Sequence, residues 1–223
     1  MAGTRTIMAE GVLLCLLAAG PASAQAAVMG GVTDAPRARF LGEPASLDVR
    51  KVADWVAQSG DNSRLPFAIV DKVGAKVFVF DGRGVLLGAS PVLLGLARGD
   101  VAPAGIGDRK LSSIRPEERI TPAGRFVASI GPNLSKKEVL WVDYASAVSL
   151  HRVVTSNPKE NRLQRLATVS ATDNRISYGC INVPVLFFDT VVKPSFSGTG
   201  GIVYVLPEVR RLDAVFAMTR FPG

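Results

Sequence analysis

The chain has 223 residues, is 48% hydrophobic and carries a formal net charge of +7, from 26 Lys and Arg against 19 Asp and Glu. Its length suits one domain with a sizeable core, and its basic balance suits anionic wall polymers or lipid surfaces. The basic residues are scattered, with only short pairs such as Lys136-Lys137 and Arg210-Arg211 and no basic run interleaved with aromatics, so nucleic acid is not an expected partner.

In chain order, Arg5, the apolar run from Gly11 to Ala19 and Pro21-Ala22-Ser23-Ala24 have the layout of a secretory signal peptide over residues 1–24, cleaved after Ala24. The run falls short of the roughly 20 residues that span a bilayer, so no permanent membrane anchor is expected. Leu14 is too bulky to precede the cysteine of a lipoprotein cleavage site at Cys15. Cleavage removes one base, Arg5, and one acid, Glu10, so the mature charge stays at +7 with 25 Lys and Arg against 18 Asp and Glu. It also removes Cys15, leaving Cys180 as the one mature thiol, with no internal disulfide to make.

Residues 25–65 read as a leader, rich in Ala, Gly and Pro up to about Leu47 and then helical over 47–59, with Ser46 as cap, Val49, Val52, Ala53 and Val56 at helical spacing and Gly60 as stop. After Pro66 the chain turns to short β runs at 67–71, 76–80 and 84–90, with Asp81-Gly82 as a hairpin signal, then at 124–130, 139–144, 148–154 and 201–206. This predicts a mainly β fold, a β-sandwich or irregular barrel with a few short helices. Residues 95–122 read as a long loop of the kind that borders functional sites, 155–176 as a polar stretch with a helical turn at 158–166, 184–192 as a short helix, and 208–223 as a tail with a further turn at 213–218.

His151 is the one histidine, at the end of a strand-like run, Ala147-Val148-Ser149-Leu150. Taken alone it reads as a structural residue, and Cys180 alone as a small buried hydrophobe. Together they are the minimum set for a thiolate and imidazole pair, in which imidazole lowers the thiol pKa and later protonates a leaving amine. One His and one Cys with no ligand spacing do not make a metal site, and no cofactor is expected.

The run Arg175-Ile176-Ser177-Tyr178-Gly179-Cys180-Ile181-Asn182 resembles the active-site motif of the L,D-transpeptidases of bacterial cell-wall synthesis, the YkuD-like catalytic domain. That motif has Ser or Thr, His, Gly, Cys, an apolar residue and Asn or Arg, after an upstream His. Ser177, Gly179, Cys180, Ile181 and Asn182 fit it, and His151 fits the upstream His. Thr121-Pro122-Ala123-Gly124-Arg125-Phe126 resembles the family's Thr-Pro-x-Gly-x-Phe turn, and the likeness runs over residues 66–207. Tyr178 stands where the family usually has histidine, and His151 precedes Cys180 by 29 positions, a longer interval than usual, with the excess at 155–174.

The resemblance implies a YkuD-like fold, a Cys180 nucleophile with His151 as base, and a thioacyl intermediate drawn from a peptidoglycan stem peptide and passed to an amine. Ser177, Tyr178 and Gly179 would shape the site, with the bare Gly179 letting substrate approach and main-chain N–H groups near 179 and 180 serving an oxyanion. Arg152, Arg175 and Asn182 are candidates for holding carboxylates or amides of the stem. The acceptor stays open among a second stem, a lipoprotein and a free D-amino acid, and the expected location is the periplasm. Hydrolysis of the same bonds and a non-catalytic wall-binding module are the rival readings.

Overall fold

The computed structural model of the chain describes residues 1–4 and 36–218. The expected signal segment from Arg5 onward, including Cys15 and the cleavage point after Ala24, lies outside the described residues, as does the leader as far as residue 35.

Helix α1 (Leu47–Ser59) has the limits its sequence predicts. Ser46 Oγ accepts a hydrogen bond from Val49 N (3.3 Å), and Gly60 ends the helix at φ +68° with its N–H donating to Val56 O. The described residues form ten strands: β1 (Phe67–Asp71), β2 (Lys76–Phe80), β3 (Leu86–Pro91), β4 (Leu94–Gly95), β5 (Gly124–Pro132), β6 (Glu138–Asp143), β7 (Val148–Arg152), β8 (Arg175–Ser177), β9 (Ile181–Val183) and β10 (Gly201–Val205). Eight make one mixed sheet in the order β3-β2-β1-β10-β5-β6-β7-β9, and β4 pairs with β8 in parallel. The class is mainly β with a few short helices, as composition and turn spacing predict.

The central strands explain the two cores. Phe67, Ile69, Phe78, Phe80, Ile202 and Tyr204 share a cluster with α1, while Ala68, Val70, Val77, Val79, Val203 and Val205 belong to the opposite one. This is the two-residue period of a strand buried on both faces, and it is why these runs are apolar throughout. The second face is covered by a helical stretch from 185 to 196, whose Phe188–Val192 turn has π spacing just ahead of Pro194, a residue with no N–H to donate. Phe188, Val192 and Phe196 are buried there.

Three differences from the sequence reading have physical causes. The leader joins the fold before its helix: Arg39 exchanges main-chain hydrogen bonds with Gly84 and Leu86, and Phe40 sits edge-on to Phe80 at 5.3 Å, because its ring completes the α1 cluster. Strand β3 starts at Leu86 because Gly84, at φ +80°, is still in the turn, where Asp81 Oδ1 accepts from Arg83 N and Val85 N. The tail is anchored, with Phe216 in the α1 cluster and Glu208 in a buried ion group.

That ion group fixes the long loop. Lys72, 1% exposed, donates to Asp100 Oδ1 (2.8 Å), Thr121 O (2.9 Å) and Gly99 O. Asp100 accepts from the N–H groups of Glu208, Val209 and Arg210 at 2.8, 3.0 and 2.6 Å. Burial pushes the Asp100 carboxyl up, but Lys72 and these N–H groups outweigh it and bring it down to about 2. Between these anchors the loop runs through short 3₁₀ turns at Ile106–Asp108, Leu111–Ser113 and Pro116–Glu118.

Candidate active site

Strands β7 and β9 pair in parallel, with Leu150 opposite Ile181 and His151 opposite Asn182. This register brings His151 and Cys180 together although 28 residues (152–179) lie between them, since a parallel pair requires a crossover of a dozen residues or more. The crossover holds a 3₁₀ turn at Pro158–Glu160, helix α2 (Arg162–Ala167) and β8. Cys180 stands at the end of the turn from β8 to β9, at the wall of a cleft of about 350 Å³ that it shares with Ser149, His151, Trp141, Tyr178 and Ile114.

His151 Nδ1 lies 2.7 Å from the Arg152 carbonyl oxygen. A carbonyl only accepts, so Nδ1 carries a proton and Nε2 is left to face the thiol. Burial pushes the Cys180 thiol up, but the hydrogen bond and charge of His151, with Ser149 beside it, prevail and hold the thiol below its ordinary range. Burial pushes His151 down, and Cys180 together with the Arg152 carbonyl more than reverses it, so its pKa is raised, with Arg162 opposing. The two shifts share one cause, the stability of a thiolate beside an imidazolium. Ser149 Oγ stands 3.8 Å from Cys180 Sγ, and Ala147 O 3.7 Å from it.

The turn itself is held from below. Ser177 Oγ donates to Cys180 O (2.6 Å) and accepts from Gly179 N (3.1 Å), so the Gly179 N–H is already engaged. Thr121 Oγ1 accepts from Gly95 N (2.9 Å) and donates to Gly179 O (2.8 Å), which ties the Thr-Pro turn directly to the cysteine turn. Gly179, at φ +128°, is buried, and a Cβ placed there would lie 2.8 Å from Ile120 O. The glycine therefore answers to a close main-chain approach within the fold. Tyr178 is about one third exposed and the Arg119 guanidinium lies 4.0 Å over its ring.

Asn182 is 1% exposed, and its amide is oriented by its neighbours. Arg162 Nη1 donates to Asn182 Oδ1 (2.7 Å), which turns Nδ2 toward Cys180 O (3.3 Å). Asn182 thus lies beneath Cys180. Arg175 is drawn to Glu208 (2.5 Å) and donates to Lys72 O (2.8 Å), and Arg152 pairs with Asp189 and donates to Glu138 O (3.1 Å). Neither guanidinium is among the groups around Cys180 Sγ. Sequence reasoning passed over Ser149 and Arg162. Ser149 is two positions before His151 on one strand, so the two-residue period marks it on the same face. Arg162 sits in a polar helix with no pattern of its own.

Among the described residues, no group of three or more His, Cys, Asp or Glu is placed to hold a metal ion, and no helix is long and apolar enough to cross a membrane.

No protein-family model matches the chain, and no curated protein matches it. Among solved structures it is similar to the catalytic domain of an E. faecium L,D-transpeptidase, at 16% identity over 64% of this chain and 98% of that one, with a TM-score of 0.37. It is similar to the Ldtfm-avibactam carbamoyl enzyme at 16% identity over 64% of this chain and 49% of that one (TM-score 0.36), so it spans about half of that chain's length. It is also similar to the helical cell shape determining protein Pgp2 from Campylobacter jejuni, at 11% identity over 70% and 55% of the two chains (TM-score 0.43).

Proposed function

We propose that this protein is an exported L,D-transpeptidase acting on peptidoglycan stem peptides in the periplasm, with Cys180 as nucleophile and His151 as general base and acid. The observation that carries the reading is the His151 ring, fixed through Nδ1 on the Arg152 carbonyl and set against Cys180 in an open cleft. The motif around Cys180 and the Thr121 hydroxyl that braces it support the same family.

In the first half-reaction the Cys180 thiolate attacks the carbonyl carbon of the third stem residue, a diamino acid. The C–N bond to the terminal D-amino acid breaks as the imidazolium gives its proton to the departing amine, leaving a thioester. In the second, an amine attacks the thioester carbon, His151 takes the amine's proton, the C–S bond breaks and the thiolate returns. Ser149 donates a hydrogen bond to the sulfur, and Ser177 and Asn182 hold the carbonyl of Cys180 so that Sγ faces the cleft.

The test is incubation of the purified mature protein with disaccharide tetrapeptide and analysis of products by mass. Cross-linked or exchanged product is expected from the wild type and none from Cys180→Ala; equal product from both sinks the assignment. Water as second nucleophile gives the tripeptide instead. A carbapenem expected to acylate such a cysteine separates both enzymes from a non-catalytic wall-binding module, which takes up no mass at Cys180. Stem, lipoprotein and free D-amino acid acceptors are told apart by supplying each in turn.

A further inference from the structure

Five arginines lie on the loop, strands and crossover that build the candidate site, and four of them already have a carboxylate. Arg109 holds Glu118 through two hydrogen bonds (3.0 and 2.9 Å), Arg152 pairs with Asp189, Arg162 with Glu160 and Arg175 with Glu208. Arg119 is the exception: among the described residues it makes no ion pair within 4 Å, and its Nε and Nη2 reach only the Ile114 carbonyl, at 3.4 and 3.3 Å. Its guanidinium lies 4.0 Å from the centre of the Tyr178 ring, which itself lines the cleft with Cys180. The next residues hold this arrangement in place, because Ile120 O abuts Gly179 and Thr121 Oγ1 donates to Gly179 O. A half-buried cation is therefore fixed on an aromatic platform two residues from the nucleophile, with N–H donors to spare.

We propose that Arg119, seated on Tyr178, binds the carboxylate of the terminal amino acid that leaves in the first half-reaction. This rests on the acyl-transfer reading above. The chemistry of the leaving group fixes the distance: one carbon separates the scissile nitrogen from that carboxylate, so its carbon lies under about 4 Å from the attacked carbonyl carbon. A carboxylate that close to the reacting atom needs a cation at the cysteine rim, and a guanidinium matches its two oxygens. The pairing also gives Tyr178 a task. A histidine there would repel the guanidinium whenever it was protonated, whereas a phenol ring attracts it.

The test uses Cys180→Ala protein, which cannot turn over, and calorimetric titration with disaccharide tetrapeptide carrying either a free terminal carboxylate or its carboxamide. The carboxamide is expected to bind about tenfold more weakly, the loss of one charge-assisted contact. Adding Arg119→Gln abolishes the preference and brings the carboxylate down to the carboxamide's affinity, while Arg119→Lys keeps part of it and Tyr178→Phe keeps most. Equal binding of the two ligands to the Arg119 protein, an undiminished preference in Arg119→Gln, or no binding of either overturns the assignment. Failure of the acyl-transfer reading looks different: the carboxylate preference is present, yet protein with Cys180 intact yields no product from the tetrapeptide.

Discussion

Replacing Gly179 by alanine separates a glycine needed by the fold from one needed by the substrate. At φ +128° an alanine is strained by about 1–3 kcal/mol, and its Cβ at 2.8 Å from Ile120 O adds an overpacking cost of about 1–3 kcal/mol. The carbonyl has little room to retreat, because the following residue, Thr121, is bonded on one side to Gly95 N and on the other to Gly179 O. Gly179→Ala is expected to lower stability by about 2–6 kcal/mol and to displace the turn that sets Cys180 against His151. Urea unfolding reads the first effect as a lower midpoint at unchanged slope, and the rate of iodoacetamide alkylation at fixed pH reads the second as a fall. A variant that kept the wild-type midpoint and alkylation rate while losing only transfer would refute this reasoning, and the glycine would then serve substrate approach alone.

The pH dependence of alkylation follows from the opposed effects on the thiol: burial raises its pKa and His151 lowers it further, so reactivity should develop below the ordinary thiol value of about 8.5. His151→Ala keeps the burial and removes the counter-charge, so the midpoint should move above that value; an unmoved midpoint counts against the pair. Arg162→Met frees the Asn182 amide that steadies the Cys180 carbonyl, with kcat expected to fall about tenfold at little change in KM and Arg162→Lys retaining part of the rate. Lys72→Met leaves Asp100 buried without its cation and Glu208 with Arg175 alone, and should cost about 3–5 kcal/mol in urea unfolding at neutral pH. Because Asp100 is depressed to about 2, its contribution in the wild type is complete above its unfolded value of 3.8 and is lost as pH falls through that window; acid unfolding of the variant should lack the part of this step that Lys72 supplies, the three N–H groups keeping the rest. Phe40→Ala should cost about 3–5 kcal/mol by thermal or urea unfolding, whereas a free leader would leave stability unchanged.

Features with a local cause were legible in the sequence. Helix α1 announces itself through Ser46, Gly60 and four apolar residues at one spacing, and β1, β2 and β10 through their apolar runs. Strands β8 and β9 were not, because three residues each give no period and their partners, β4 and β7, are parallel and remote in sequence. The cysteine and histidine were found by residue type, yet the reason for Gly179 was not, since Ile120 lies 59 positions away. Lys72, Asp100 and Glu208 read as ordinary surface charges until the fold buries them together. Arg152 and Arg175 drew attention as arginines near motif residues, but sequence adjacency says nothing of a guanidinium's partner, and Asp189 and Glu208 are 37 and 33 positions off.

The parallel pairing of β7 with β9 has a consequence for the life of the thiol before the fold is complete. In an extended chain Cys180 is an ordinary cysteine, mostly protonated near neutral pH and far from any imidazole. The counter-charge that lowers its pKa arrives only when the whole crossover from 153 to 180 has folded and β9 has docked beside β7, a non-local step of the slow kind. Folding therefore sets the acidity of this thiol. A newly made chain carries an ordinary cysteine, and the docking of one edge strand, β9 beside β7, gives it the lowered pKa.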